Sequence, residues 1–249
     1  MNRRTILVTL TITAVVLFLA CAACTHPPGI GRADAEVVPP SEIVDFKVLY
    51  GQNCAGCHGV GGKGGAAIAL ANPVFLAIAD DAVIRRTAAK GVPGTPMPAF
   101  AQSAGGMLTD KQVDSLVRGI KSWAKPDALG NATPPPYAAP APGDPQRGAD
   151  AYRKYCSPCH GANGRGGSSA SSVVDGSYLA LVSDQQLRTI VIAGRPELGG
   201  PDWRGDVEGR PMSAQDISDV VAWLSSQRPK FPGQPYPIAS TNPANGGPR

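Results

Sequence analysis

Cys54-Ala55-Gly56-Cys57-His58 and Cys156-Ser157-Pro158-Cys159-His160 write one pentapeptide, C-x-x-C-H, twice in a chain of 249 residues. This is the attachment signature of c-type haem. Two thiols at this spacing can each add to one vinyl group of a porphyrin, and the adjoining imidazole then falls beneath the iron as proximal ligand. Cys54, Cys57 and His58, with Cys156, Cys159 and His160, are thus candidate ligands for two covalently bound haem c groups. Structural zinc is the competing use of paired cysteines, and it needs donors that close a tetrahedron. Here each pair runs straight into one histidine, and the only other histidine is His26. The spacing favours haem.

Composition agrees with small cofactor-filled domains. Gly 30 and Pro 25 together make about a fifth of the chain, so much of it is loop, and aromatics are only 6%. That is thin for a self-sufficient core, and an inserted porphyrin supplies the missing apolar mass. A net charge of +4, dispersed along the chain, argues against a nucleic-acid partner.

The N-terminus reads as a targeting segment, residues 1–24, and lies outside the fold. Arg3 and Arg4 precede an apolar run from Ile6 to Ala23, at the lower limit for crossing a bilayer. Phe18-Leu19-Ala20-Cys21 looks like a relaxed lipobox, which makes Cys21 a lipidated N-terminus; Cys24 is the poorer candidate. The alternative is an uncleaved signal-anchor helix. Either tethers the folded part to the membrane and places it in the bacterial periplasm or on the outer face of the cytoplasmic membrane. Residues 25–40 form the tether, and His26 within it reads as a free surface imidazole.

Beyond the tether the chain repeats itself. The two haem motifs align at an offset of 102. Asp81, Ile84, Arg85, Gly91, Pro93, Pro98 and Phe100 face Asp184, Leu187, Arg188, Gly194, Pro196, Pro201 and Trp203 at an offset of 103. Thr109, Val113, Val117 and Ile120 face Ser213, Ile217, Val221 and Leu224 at 104. Each copy predicts a helix running into its haem motif, from about Glu42 and from Gln146. A glycine-rich loop follows in each, and lacks the Gly-Lys-Ser/Thr ending of a phosphate cradle. A middle helix is expected over Asp81–Lys90 and Asp184–Ala193, with the aspartates as N-cap candidates. A last helix starts behind Thr109 or Ser213 and shows apolar residues at 3- and 4-residue steps. No segment alternates as a strand does, so the fold class is all-α. The domains are expected at 41–125 and 144–228. Pro-rich residues 126–143 form a stiff, unpacked linker between them, and residues 229–249 a Pro- and Gly-rich tail, expected to be extended.

On these motifs each half resembles a class I cytochrome c domain. The tandem, tethered arrangement is similar to dihaem cytochrome c subunits of bacterial respiratory complexes. In that family a methionine in a loop before the last helix is the second axial ligand of the iron. The resemblance assigns that role to Met97, in Thr95-Pro96-Met97-Pro98, while Met107 reads as packing. The second half departs from the pattern. Gly200 stands opposite Met97, and Met212, opposite Leu108, is the one remaining thioether. Met212 is either a ligand brought in by an altered loop or a hydrophobic staple against the last helix.

Two functions compete. The first is electron transfer between a respiratory membrane complex or terminal oxidase and a soluble electron carrier, which needs no catalytic constellation. The second is a haem enzyme, or a gas- or peroxide-binding protein, that uses an uncapped second iron. Peroxide chemistry wants an acid or base over the distal face, and only Glu197, Asp202 and Arg204 lie near it in sequence. This weakens the second function. The tail alone also admits a docking role.

Overall fold

In the computed structural model the described residues are 2, 15, 38–205 and 210–229. Most of the expected targeting segment and tether, Cys21 and His26 included, and the tail beyond residue 229 lie outside them. Pro40–Glu42, a 3-10 turn, closes an N-terminal unit of residues 1–42, and residues 43–249 form a second unit that contains both repeats.

Among the described residues of that second unit there are ten α-helices, five per repeat, and no strand. In the first half these are α1 (Phe46–Asn53), α2 (Ala55–His58), α3 (Pro73–Ile78), α4 (Asp81–Lys90) and α5 (Asp110–Lys121). Their counterparts are α6 (Pro145–Tyr155), α7 (Ser157–His160), α8 (Gly176–Leu181), α9 (Asp184–Ala193) and α10 (Ala214–Ser226). Side-chain caps set the helix starts. Asp45 and Asp144 accept from Val48 N and Arg147 N at the heads of α1 and α6. Thr109 and Ser213 are the N-caps the sequence predicts, and they close capping boxes with Gln112 and Asp216. The middle helices are capped one residue earlier than predicted, by Asp80 and Ser183. The sequence reading missed α3 and α8. Each has only six residues, less than two turns, too short for a 3.6-residue period to emerge. The signals that mark α3 are Asn72 as cap and Pro73 at the first helical position.

Each half is organised where its first helix crosses its last. In the second half Gly148 of α6 brings the backbones together: a Cβ there would land on the Asp219 carbonyl and 2.8 Å from Trp223 Cβ. Trp223 then stacks on Tyr152 with centroids 4.2 Å apart. In the first half the residue types exchange helices. Phe46 holds the position of Gly148 and Gly119 that of Trp223, and a Cβ on Gly119 would enter the Phe46 ring. Trp123 completes this cluster, edge-on to Phe46 at 5.2 Å and to Tyr50 at 5.0 Å.

Polar ties repeat by position while their chemistry changes. The chain before α1 is held to α5 by Gln112 Nε2 on Ile43 O (2.9 Å) and Ser115 Oγ on Val44 O (2.6 Å). In the second half Asp219 takes the place of Ser115. It accepts from Asp144 N (2.7 Å), from Arg147 Nε and Nη2 (2.8 and 2.9 Å) and from Gln215 Nε2 (2.9 Å). Burial pushes the Asp219 carboxyl up, and these donors together outweigh it and hold the group below the ordinary carboxylate range.

The linker departs from expectation. Pro135 is buried, and Arg188 of α9, 2% exposed, donates to Pro136 O (2.9 Å) and Tyr137 O (3.1 Å). Its first-half counterpart Arg85 pairs instead with Asp114, whose place Ser218 takes beside Arg188. A buried guanidinium without a carboxylate needs carbonyl acceptors, and the linker backbone supplies them. The halves also touch directly: α3 packs on α9, and Asn72 Nδ2 donates to Ala193 O at 3.0 Å.

Two stability measurements check this account. Gly148→Ala should destabilise the protein in urea by about 1–3 kcal/mol from overpacking, against the roughly 1 kcal/mol that alanine otherwise gains inside a helix. Because the carboxyl of Asp219 is depressed in the fold, its contribution is present at neutral pH and fades as pH falls through its folded pKa. Asp219→Asn should therefore lower the urea midpoint at neutral pH, with the gap to wild type narrowing on acidification; a gap constant with pH would show that the ionised carboxylate contributes nothing.

Candidate haem sites

The two C-x-x-C-H motifs occupy equivalent places. Cys54 ends α1 and opens α2, and Cys156 does the same between α6 and α7. One helical turn then brings the second cysteine and the histidine round. His58 N donates to Cys54 O at 3.0 Å, and His160 N to Cys156 O at 2.9 Å. The glycine after each histidine adopts φ +80 at Gly59 and +76 at Gly161, a left-handed turn that a side chain would strain. Tyr50 and Tyr152 fix these turns from behind. Their hydroxyls donate to Gly59 O (2.9 Å) and Gly161 O (2.6 Å). Burial is the main reason that the Tyr50 phenol is pushed up to about 12, so it stays a donor.

Each histidine is oriented by a carbonyl. His58 Nδ1 lies 2.8 Å from Ile68 O and His160 Nδ1 2.7 Å from Ser171 O. A proton on Nδ1 satisfies each contact and leaves the Nε2 lone pair for a metal, the second-shell arrangement that fixes a ligating tautomer. His58 is buried, and that burial pushes its pKa down, which keeps the imidazole neutral.

Cys54, Cys57, Cys156 and Cys159 are free thiols, not disulfides. Burial first, then the neighbouring thiol, pushes Cys54 and Cys156 up to about 11, so both are held as neutral thiols. Among the described residues no group of three or more His, Cys, Asp or Glu could hold a metal ion, as zinc would require. Paired free thiols and one tautomer-fixed imidazole per motif fit the donor set of a covalently attached haem.

The loops before the last helix share several backbone hydrogen bonds in the two halves. Val92 N donates to Met97 O and, 103 residues on, Arg195 N donates to Gly200 O, both at 3.0 Å. Leu108 N donates to Phe100 O at 2.7 Å and Met212 N to Trp203 O at 2.8 Å. Met97 is half-buried, and Thr95, whose hydroxyl donates to Val92 O at 2.8 Å, braces its loop. Gly200 thus occupies the place of Met97. Met212 occupies that of the core residue Leu108, and the two are 7% and 6% exposed. Met107 is 81% exposed and packs against nothing comparable, unlike the packing role expected for it.

Arg195 was not singled out by sequence. From the second distal loop its Nη2 donates to Gly65 O at 2.9 Å, beside the first haem motif, and its Nε reaches Glu197 Oε1. An arginine following a helix-ending glycine was the only available signal.

Comparison with known proteins places this geometry. Residues 42–118 and 143–224 match the family described as cytochrome c oxidase, cbb3-type, subunit III. A cbb3-type cytochrome c oxidase subunit CcoP of Azospirillum sp. (strain B510) is 32% identical over 157 residues, 57% of this chain. The match spans about half the length of that relative (48%). The cytochrome bc1 complex cytochrome c subunit of Mycobacterium bovis is 23% identical over 82% of this chain and 69% of its own. Among solved structures, a reducing HAO-like protein complex of Kuenenia stuttgartiensis is similar over 78% of this chain and all of its own, at 21% identity and a TM-score of 0.44. With a C-x-x-C-H motif inside each matched segment, the chain belongs to the cbb3-type cytochrome c oxidase subunit III family of tandem c-type cytochromes.

Proposed function

We propose that this chain is a dihaem electron carrier that serves a respiratory membrane complex. The observation that carries the reading is the doubled site: free thiol pairs on one helical turn and an imidazole whose Nδ1 is committed to a carbonyl, in both halves. Cys54, Cys57 and His58 would hold one haem c, and Cys156, Cys159 and His160 the other. Haem iron supplies a one-electron couple, and a His/Met ligand set raises its potential over stronger donors.

The chain's own residues serve that role by holding still. The crossings of α1 with α5 and α6 with α10, and the tyrosine hydroxyls on Gly59 and Gly161, keep the ligand turns fixed, which suits a carrier that should rearrange little on reduction. The contact of α3 with α9 supports a fixed spacing of the two sites. Met97 is proposed as the sixth ligand in the first half. The register and burial of Met212 support a packing role rather than ligation.

The relatives named as CcoP and as a bc1-complex subunit support a partner in a respiratory complex, with a soluble carrier or terminal oxidase on the other side. Among the described residues no helix is long and apolar enough to cross a membrane. Anchoring through Cys21 or an uncleaved N-terminal helix, with the haem domains in the periplasm, belongs to this same proposal.

A haem count on the denatured protein, followed by a redox titration, tests the reading: two haems and two one-electron transitions are expected, and a colourless denatured polypeptide would sink it. Met97→Ala should make one haem high-spin and lower its potential; an unchanged spectrum removes Met97 from the site. Met212→Ala should cost about 2–5 kcal/mol of stability and leave both haem spectra as they were.

A further inference from the structure

We infer that the second half is a binding site for a small neutral ligand, a diatomic molecule that coordinates through a lone pair, at the iron face opposite His160. The inference rests on the reading that His160 and its cysteines hold a haem.

The shared hydrogen bond from position 92 or 195 to position 97 or 200 sets Gly200 at the backbone position that Met97 holds in the first loop. The backbone bond is retained there and the donor is not. A glycine can be demanded by backbone or by crowding from neighbouring protein atoms, and neither of these demands exists here. Gly200 is not among the glycines with positive φ. A Cβ built on it meets nothing closer than Arg195 at 3.5 Å, ordinary van der Waals contact. The protein's own atoms leave room for a Cβ there, and the sequence omits it.

No other thioether or imidazole described in this half takes the donor's place. Met212, its one thioether, lies in the core at the register of Leu108, and its backbone is tied to Trp203. His160 is the only histidine of the half. Uncharged ligands suit the loop, because the guanidinium groups beside Gly200 are already paired: Arg195 with Glu197, and Arg204 with Asp202 while lying over the Trp203 ring at 5.0 Å. No redox step is implied; ligand and iron form one coordinate bond. The first half carries Met97 at this position, which makes it an internal comparison.

The experiment is a carbon monoxide titration of the reduced, full-length dihaem protein, read by absorption, after the haem count. One carbon monoxide per two haems is expected. Met97→Ala should raise this to two per protein, Met212→Ala should leave it at one, and Gly200→Met should abolish binding and add a second Met-to-iron band in the oxidised spectrum. Two low-spin haems that bind no carbon monoxide overturn the inference and leave the electron-carrier reading standing. A rise from none to one in Met212→Ala overturns it by naming Met212 as the ligand. A count of one haem overturns the underlying reading, and the inference with it. Should Gly200→Met fail to fold, the stoichiometries of wild type, Met97→Ala and Met212→Ala decide the matter.

Discussion

Close approach of the first and last helices in each half is the constraint on which the rest depends. The haem motif begins where the first helix ends, so the angle of that helix aims the cysteines and the histidine. Approach requires one position in the crossing to lack a side chain, and the halves meet this requirement from opposite sides: Gly119 on the last helix, Gly148 on the first. An aromatic residue fills the space in each case, Phe46 or Trp223. The geometry is kept while the residues that produce it change places.

The same economy runs through the polar contacts. A Ser–carbonyl bond in one half becomes a buried carboxylate with four donors in the other. An Arg–Asp pair becomes an arginine on linker carbonyls. Lys121 of α5 donates to the carbonyls of Leu76 and Ala79, and Arg228 beyond α10 does so to those of Leu179 and Val182. What is preserved is that each orphan backbone group finds a partner. A fold specified by satisfied positions tolerates wide divergence between its copies.

This explains what could be read from the sequence. The haem motifs are local, and chemistry dictates their spacing, so they are legible at once. The last helices are twelve and thirteen residues long, with a capping residue and a clear apolar period, and were equally plain. Gly200 opposite Met97 was visible because the repeat supplies its own reference. The short helices α3 and α8 were not, and neither was the packing of Pro135 and Tyr137, since a proline-rich composition looks alike whether or not a buried arginine lies beneath it. Nor could sequence have linked Arg195 to Gly65, 130 positions away. Such contacts exist only after the chain has folded.

The docking of Pro136 and Tyr137 on Arg188 shifts the border between the halves. Composition would cut the polypeptide just before Asp144, yet the acceptors that neutralise the polarity of a buried side chain in the C-terminal half lie some eight residues upstream. Those few residues are therefore part of the second module in all but name. Whatever excises, transplants or duplicates that module must carry its leading strap along, or leave a cation stranded in the interior.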